Sequence, residues 1–156
     1  MPDARPSPPA EPDTLEISAP RARYELLAAL TVQALTEEAG GSAAEQAREL
    51  ARQFGHDLGK QANGGTGEPR PQLREAIGGV LSACGYEPKG VGQRDVRLHN
   101  CPFASLAAQY RSTVCQMNLA LHEGLLEGLG ASGQLRAELQ PAPGRCCVTL
   151  VEVSGS

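Results

Sequence analysis

Apolar residues first recur at helical spacing from Pro20 onward, where Tyr24, Leu26, Leu27, Leu30, Val32 and Leu35 mark a helix that Gly40 and Gly41 end. Ser42 then stands where an N-cap is expected, with Glu45 at capping-box spacing. Ala47, Leu50, Ala51, Phe54 and Leu58 are the apolar positions of the second helix that follows. Residues 63–71 (NGGTGEPRP) read as a loop. A third helix is predicted over 72–84, with Leu73, Ile77, Val80 and Leu81 as its stripe and Gly85 as its stop.

Beyond Gly85 the period changes from helical to alternating. Segments 86–89 and 95–100 flank GVGQR and predict a hairpin, with Val96 and Leu98 on one face and Arg97 and His99 on the other. Leu135, Ala137 and Leu139 alternate again, PAPG over 141–144 makes a turn, and 146–153 is an apolar, β-rich run. A long helical region lies between the two hairpins. Its positions Val114, Met117, Leu121, Leu125 and Gly128 make one stripe, and Cys115, Asn118, Leu119, His122 and Leu126 a second, so this helix should be central to the core. The expected class is α+β: N-terminal helices, then two β-hairpins forming a small antiparallel sheet packed with a long central helix.

The 156 residues and 40% hydrophobic content suit one core. Residues 1–19 hold five prolines and predict a disordered leader. Residues 20–153 then form one domain, with a helical part over 20–84 and a cysteine-bearing α+β part over 85–153. A net charge of −4 with scattered basic residues argues against autonomous nucleic-acid binding, and 3% aromatic content leaves few stacking surfaces. No apolar run approaches the roughly 20 residues that span a bilayer, and no export pattern is present, so a cytoplasmic location without membrane contact is expected.

Five cysteines without an export signal predict free thiols, a metal or cluster site, or redox sensing rather than a disulfide framework. A continuous helix from Phe103 would hold Cys115 about 18 Å along its axis, too far to share a metal with Cys101. A break at 110–113, with Thr113 and Gln116 at capping-box spacing, would remove that obstacle. Cys115 would then lie in the first turn of a new helix, where the dipole favours a thiolate. Cys146 and Cys147 are adjacent on an expected strand, so only one of them should face the site, and His99 should share a face with Cys101. Cys101, Cys115, one of Cys146 and Cys147, and His99 are thus the candidate ligands for zinc, an iron–sulfur cluster or another soft metal. His122, seven residues after Cys115, reads as a satisfied core histidine, and Cys84 as a buried free thiol.

Several of these blocks carry a family resemblance. LSACGYEP (81–88), HNCPF (99–103), Val114-Cys115, NLALHEGLLEGL (118–129) and PGRCCV (143–148) together resemble the C-terminal effector domain of ArsR-like winged-helix transcription regulators. That family includes repressors of iron–sulfur assembly operons, and the resemblance implies a cluster held through Cys101, Cys115 and one of Cys146 and Cys147. The chain departs from those repressors in having only Leu and Gly around Leu129, where they carry a further cysteine. The family also begins with a winged helix of roughly 70 residues. Residues 1–19 cannot hold one, so the expectation is a sensor that lacks the DNA-binding half and acts as a homodimer or as a heterodimer with a full-length regulator, touching DNA only indirectly. A small-molecule-binding module with structural cysteines is the alternative. Catalysis ranks below both, because Cys115 and His99 lack an oriented third group.

Overall fold

The computed structural model describes residues 21–38, 41–63 and 70–154. The expected leader and the centre of the 63–71 loop lie outside the described residues. Five helices and four strands follow in the order α1 (Arg21–Glu37), α2 (Ser42–Asn63), α3 (Arg70–Ala83), β1 (Glu87–Lys89), β2 (Asp95–His99), α4 (Ala104–Gln109), α5 (Arg111–Gly128), β3 (Leu135–Leu139) and β4 (Val148–Glu152). The α+β expectation holds.

The sheet is antiparallel throughout, in the order β1-β2-β4-β3, so the two hairpins join through β2 and β4. Register places Val96 beside Leu150 and Leu150 beside Ala137, which puts the apolar residues of three strands on one face. Val96, Leu98, Val148 and Leu150 are buried there with Leu125 and Leu126 of α5, Leu129 just past its end, and Ile77 and Leu81 of α3. Arg97 and His99 face the other way, as alternation requires.

Helix α5 is buried on both sides, facing the sheet with one and α2 with the other. The α2 contact is built differently from the expected stripe. Leu50 and Phe54 are 70% and 58% exposed, while the buried positions of α2 are Gly55 and Gly59. Opposite them stand Gly124 and Gly128 of α5. A Cβ on any of the four would fall inside the van der Waals shell of a backbone oxygen on the facing helix: Leu121 O for Gly55, Leu125 O for Gly59, Arg52 O for Gly124 and His56 O for Gly128. Contact here is backbone on backbone. At the rim Arg52 pairs with Glu127 and reaches Glu123, exposed pairs worth at most about 1 kcal/mol each.

Helix α2 also starts differently from expectation. The Glu45 N–H bonds to the Gly41 carbonyl at 2.8 Å, which puts Gly41, at φ 82°, in the capping position one residue ahead of Ser42. In α1 Val32 is buried and Leu30 is exposed. No helix among the described residues is long and apolar enough to cross a membrane.

Candidate functional site

Three chain reversals bring the cysteines together. Gly85, at φ 96°, closes α3 with the Tyr86 N–H on the Leu81 carbonyl and its own N–H on that of Ser82, which sends Tyr86 back under the helix into the core. Asn100, at φ 51°, ends β2 in a left-handed conformation that asparagine tolerates, and its side-chain amide donates to the Gly85 carbonyl at 3.1 Å. Cys101 therefore turns away from the strand. The turn after β3 closes with the Gln140 N–H on the Cys147 carbonyl, and the Cys146 N–H donates to Leu98 O at 2.8 Å, which pins Cys146 beside the end of β2.

The helix break stands where the sequence places it, at Tyr110 (φ −127°, ψ 48°), although no side chain caps the new helix. Cys115 is the fifth residue of α5, one turn further in than expected. There it is buried rather than presented to the helix N-terminus. Burial first, with a hydrogen bond to Cys147, pushes its thiol up to about 12, so the expected dipole-stabilised thiolate is corrected to a protonated thiol.

Cys101, Cys115, Cys146 and Cys147 all line one open cavity of about 420 Å³, roomy because α4 contributes only Ala104, Ala107 and Ala108 to its wall. Arg111, Arg145 and the turn 141–144 complete the lining. The expectation that only one of the adjacent cysteines faces the site is corrected: β4 starts at Val148, so Cys146 and Cys147 lie in irregular backbone where strand alternation does not apply. His99 is corrected in the other direction. It ends β2 on the outer face of the sheet, beside Lys89, Gln93 and Arg97, because the reversal at Asn100 breaks the parity that was to align it with Cys101. Cys84 is half-buried and outside the cavity.

The four sulfurs interact in a chain, Cys101 with Cys146, Cys146 with Cys147, and Cys147 with Cys115. The bond from Cys146 holds the Cys101 thiol below the usual range, against burial and with help from the Phe103 backbone. The same bond, seen from the other side, pushes Cys146 up to about 11, and its contact with Cys146 raises Cys147. Of the four thiols, Cys101 is thus the one whose ionisation the surroundings favour.

Asn118 organises the wall behind the thiols. Its Nδ2 donates to Cys146 Sγ at 3.0 Å and lies 3.9 Å from Cys147 Sγ, while its Oδ1 accepts from the Tyr86 hydroxyl. Its backbone oxygen meets His122 Nδ1 at 2.7 Å. A polar amide three residues after Cys115, in an otherwise apolar helical stripe, was the signal for this role. Replacing Asn118 by Ala should lower stability by about 1–3 kcal/mol, because it orphans the buried Tyr86 hydroxyl. In a urea titration, Tyr86→Phe added to Asn118→Ala should then cost less than it does alone; additive costs would refute the pairing.

No family model matches the chain, and no curated protein matches it. Its chemistry is read from the cavity alone.

Proposed function

We propose that residues 20–153 form a non-enzymatic sensor domain of a bacterial transcription regulator, whose effector site is the four-thiol cavity in its cysteine-bearing part, 85–153. The observation that carries this reading is the convergence of Cys101, Cys115, Cys146 and Cys147, from three separate chain segments, on one open cavity flanked by two guanidinium groups. Among the described residues no group of three or more His, Cys, Asp or Glu side chains is arranged to hold a single metal ion. A polynuclear iron–sulfur cluster makes a different demand, since it fills a cavity and takes soft thiolates from the rim. The donor set fits that demand in kind.

The second vicinal cysteine supplies a fourth sulfur where the resembled repressors use one elsewhere in the chain. Arg111 and Arg145 form no ion pair with a carboxylate among the described residues, and they offset the charge of several thiolates. A cluster held by Cys101, Cys115, Cys146 and Cys147 would supply redox-labile chemistry at the site. Packing of the 141–147 turn against α5 biases a homodimer, or a heterodimer with a full-length regulator, and DNA is affected only through it.

Anaerobic reconstitution with iron and sulfide should give absorbance between about 320 and 420 nm, lost in Cys115→Ser. A colourless, iron-free product from the parent chain would sink the cluster. The second reading, a small-molecule module, draws on an apolar cavity of about 180 Å³ on the α2 side of α5, lined by Phe103, Leu106, Val114, Met117 and Leu121 among others. Under it the same Cys→Ser change leaves ligand uptake intact.

A further inference from the structure

The chain of sulfurs has an order that the metal reading does not use. It runs Cys101, Cys146, Cys147, Cys115, and its two middle members are neighbours in sequence. Disulfide-bonded residues usually hold their Cα atoms roughly 4.4 to 6.8 Å apart, whereas neighbours across a trans peptide are fixed at about 3.8 Å. A Cys146–Cys147 bridge is therefore disfavoured. Among sulfurs that are neighbours in this chain, one division then leaves none over: Cys101 with Cys146, and Cys147 with Cys115.

Accessibility sorts each pair in the same way. All four line the open cavity, but Cys101 and Cys147 are half-buried there while Cys115 and Cys146 are buried. Each pair thus has one more exposed member, which a small oxidant meets first, and one more buried member. We propose that the metal-free cavity is a paired oxidation site for hydroperoxides, closing as two disulfides, Cys101–Cys146 and Cys115–Cys147. This deepens the sensor reading by naming a second kind of effector at the same site.

In each pair the outer sulfur attacks the peroxide O–O bond as its thiolate, Cys101 ahead of the more weakly acidic Cys147, giving a sulfenic acid and releasing water, or an alcohol from an organic hydroperoxide. The inner thiol then attacks the sulfenic sulfur. The S–S bond forms, the S–O bond breaks and a water leaves, so one two-electron oxidant is reduced per disulfide. Both bridges tie the 141–147 turn down, one to the start of α4 and the other to α5.

Tryptic mapping of the full chain reads the pairing directly, because Cys101, Cys115 and Cys84 fall on peptides 98–111, 112–136 and 75–89, while Cys146 and Cys147 share 146–156. Chelator-treated protein oxidised with dilute hydrogen peroxide should yield 98–111, 112–136 and 146–156 as one linked species, four hydrogens lighter than their sum, with Cys84 still alkylatable. Cys147→Ser should leave 98–111 joined to 146–156 and release 112–136; Cys146→Ser should do the reverse. A bridge internal to 146–156, a direct link of 98–111 to 112–136, a bridge between copies, or five alkylatable thiols would each overturn the proposal. Its fate is separable from that of the cluster: linked peptides in a chain that never takes up iron, or a cluster-loading chain whose freed thiols stay unpaired, divide the two.

Discussion

Gly124→Ala should be among the most damaging single-methyl changes at the described residues, costing about 3 kcal/mol or more in a urea titration. The new Cβ would overlap the Arg52 carbonyl, and its next neighbours are the Arg52 carbonyl carbon and the His56 backbone nitrogen. None of these atoms belongs to a side chain that can swing away. Relief requires α2 and α5 to separate, and α5 also carries Leu125 and Leu126 of the core and Cys115 of the cavity. Against this loss stands a gain in helix propensity of only about 1 kcal/mol. Gly79→Ala in α3 is the matched control, because a Cβ there meets nothing within 4 Å. It should stabilise by roughly 0.5–1 kcal/mol. Equal midpoints for the two variants would remove the close-approach account of the α2–α5 contact.

That contact also shows what the sequence withheld. A stripe of apolar side chains selects Leu50 and Phe54 as the inward positions of α2, since burial of area is the usual reason for a helix to pack. Here the helices meet through positions without side chains, and a hydrophobicity pattern is blind to them. The spacing was nonetheless present: Gly55 and Gly59, and Gly124 and Gly128, are each four apart and so share one face of a helix. The sheet was legible for the opposite reason. Val96 and Leu98 alternate with Arg97 and His99, and a one-residue slip would bury the charged set, so the pattern specifies the register.

The site was legible in its residues and not in its orientations. Alternation placed His99 with Cys101 and split Cys146 from Cys147, and both inferences assumed strand where the backbone reverses or turns. A left-handed Asn100 and a strand that begins at Val148 undo them. The break at Tyr110 was predictable because a straight helix kept Cys115 out of reach. Its depth in α5 was not, and that single turn changes the thiol from exposed and ionised to buried and protonated.

The second large effect concerns acid. His122 is fully buried, its ring edge-on to Tyr86 at 4.9 Å between centroids, and Nδ1–H donates to the Asn118 carbonyl. Nε2 has no partner among the described residues, so the ring is only half satisfied, where the sequence had suggested a fully satisfied core histidine. Burial holds its pKa down at about 4 from an ordinary 6.5, against a smaller opposing effect of the Asn118 carbonyl. Between those values the unfolded chain binds a proton that the folded chain refuses, so stability rises with pH across the window. The contribution is complete above about pH 6.5 and is lost as pH falls towards 4, at about 1.4 kcal/mol per unit and on the order of 3 kcal/mol in all. His122→Leu removes the titrating group while keeping an apolar filling. Its urea midpoint should fall less steeply than the parent's between pH 6.5 and 4.5, and parallel curves would show that His122 is not the group responsible. Because Asn118 joins His122 to Cys146, protonation strikes the wall that positions the thiols. Thiol accessibility in the cavity should therefore rise on acidification in the parent before global unfolding, and not in the Leu variant.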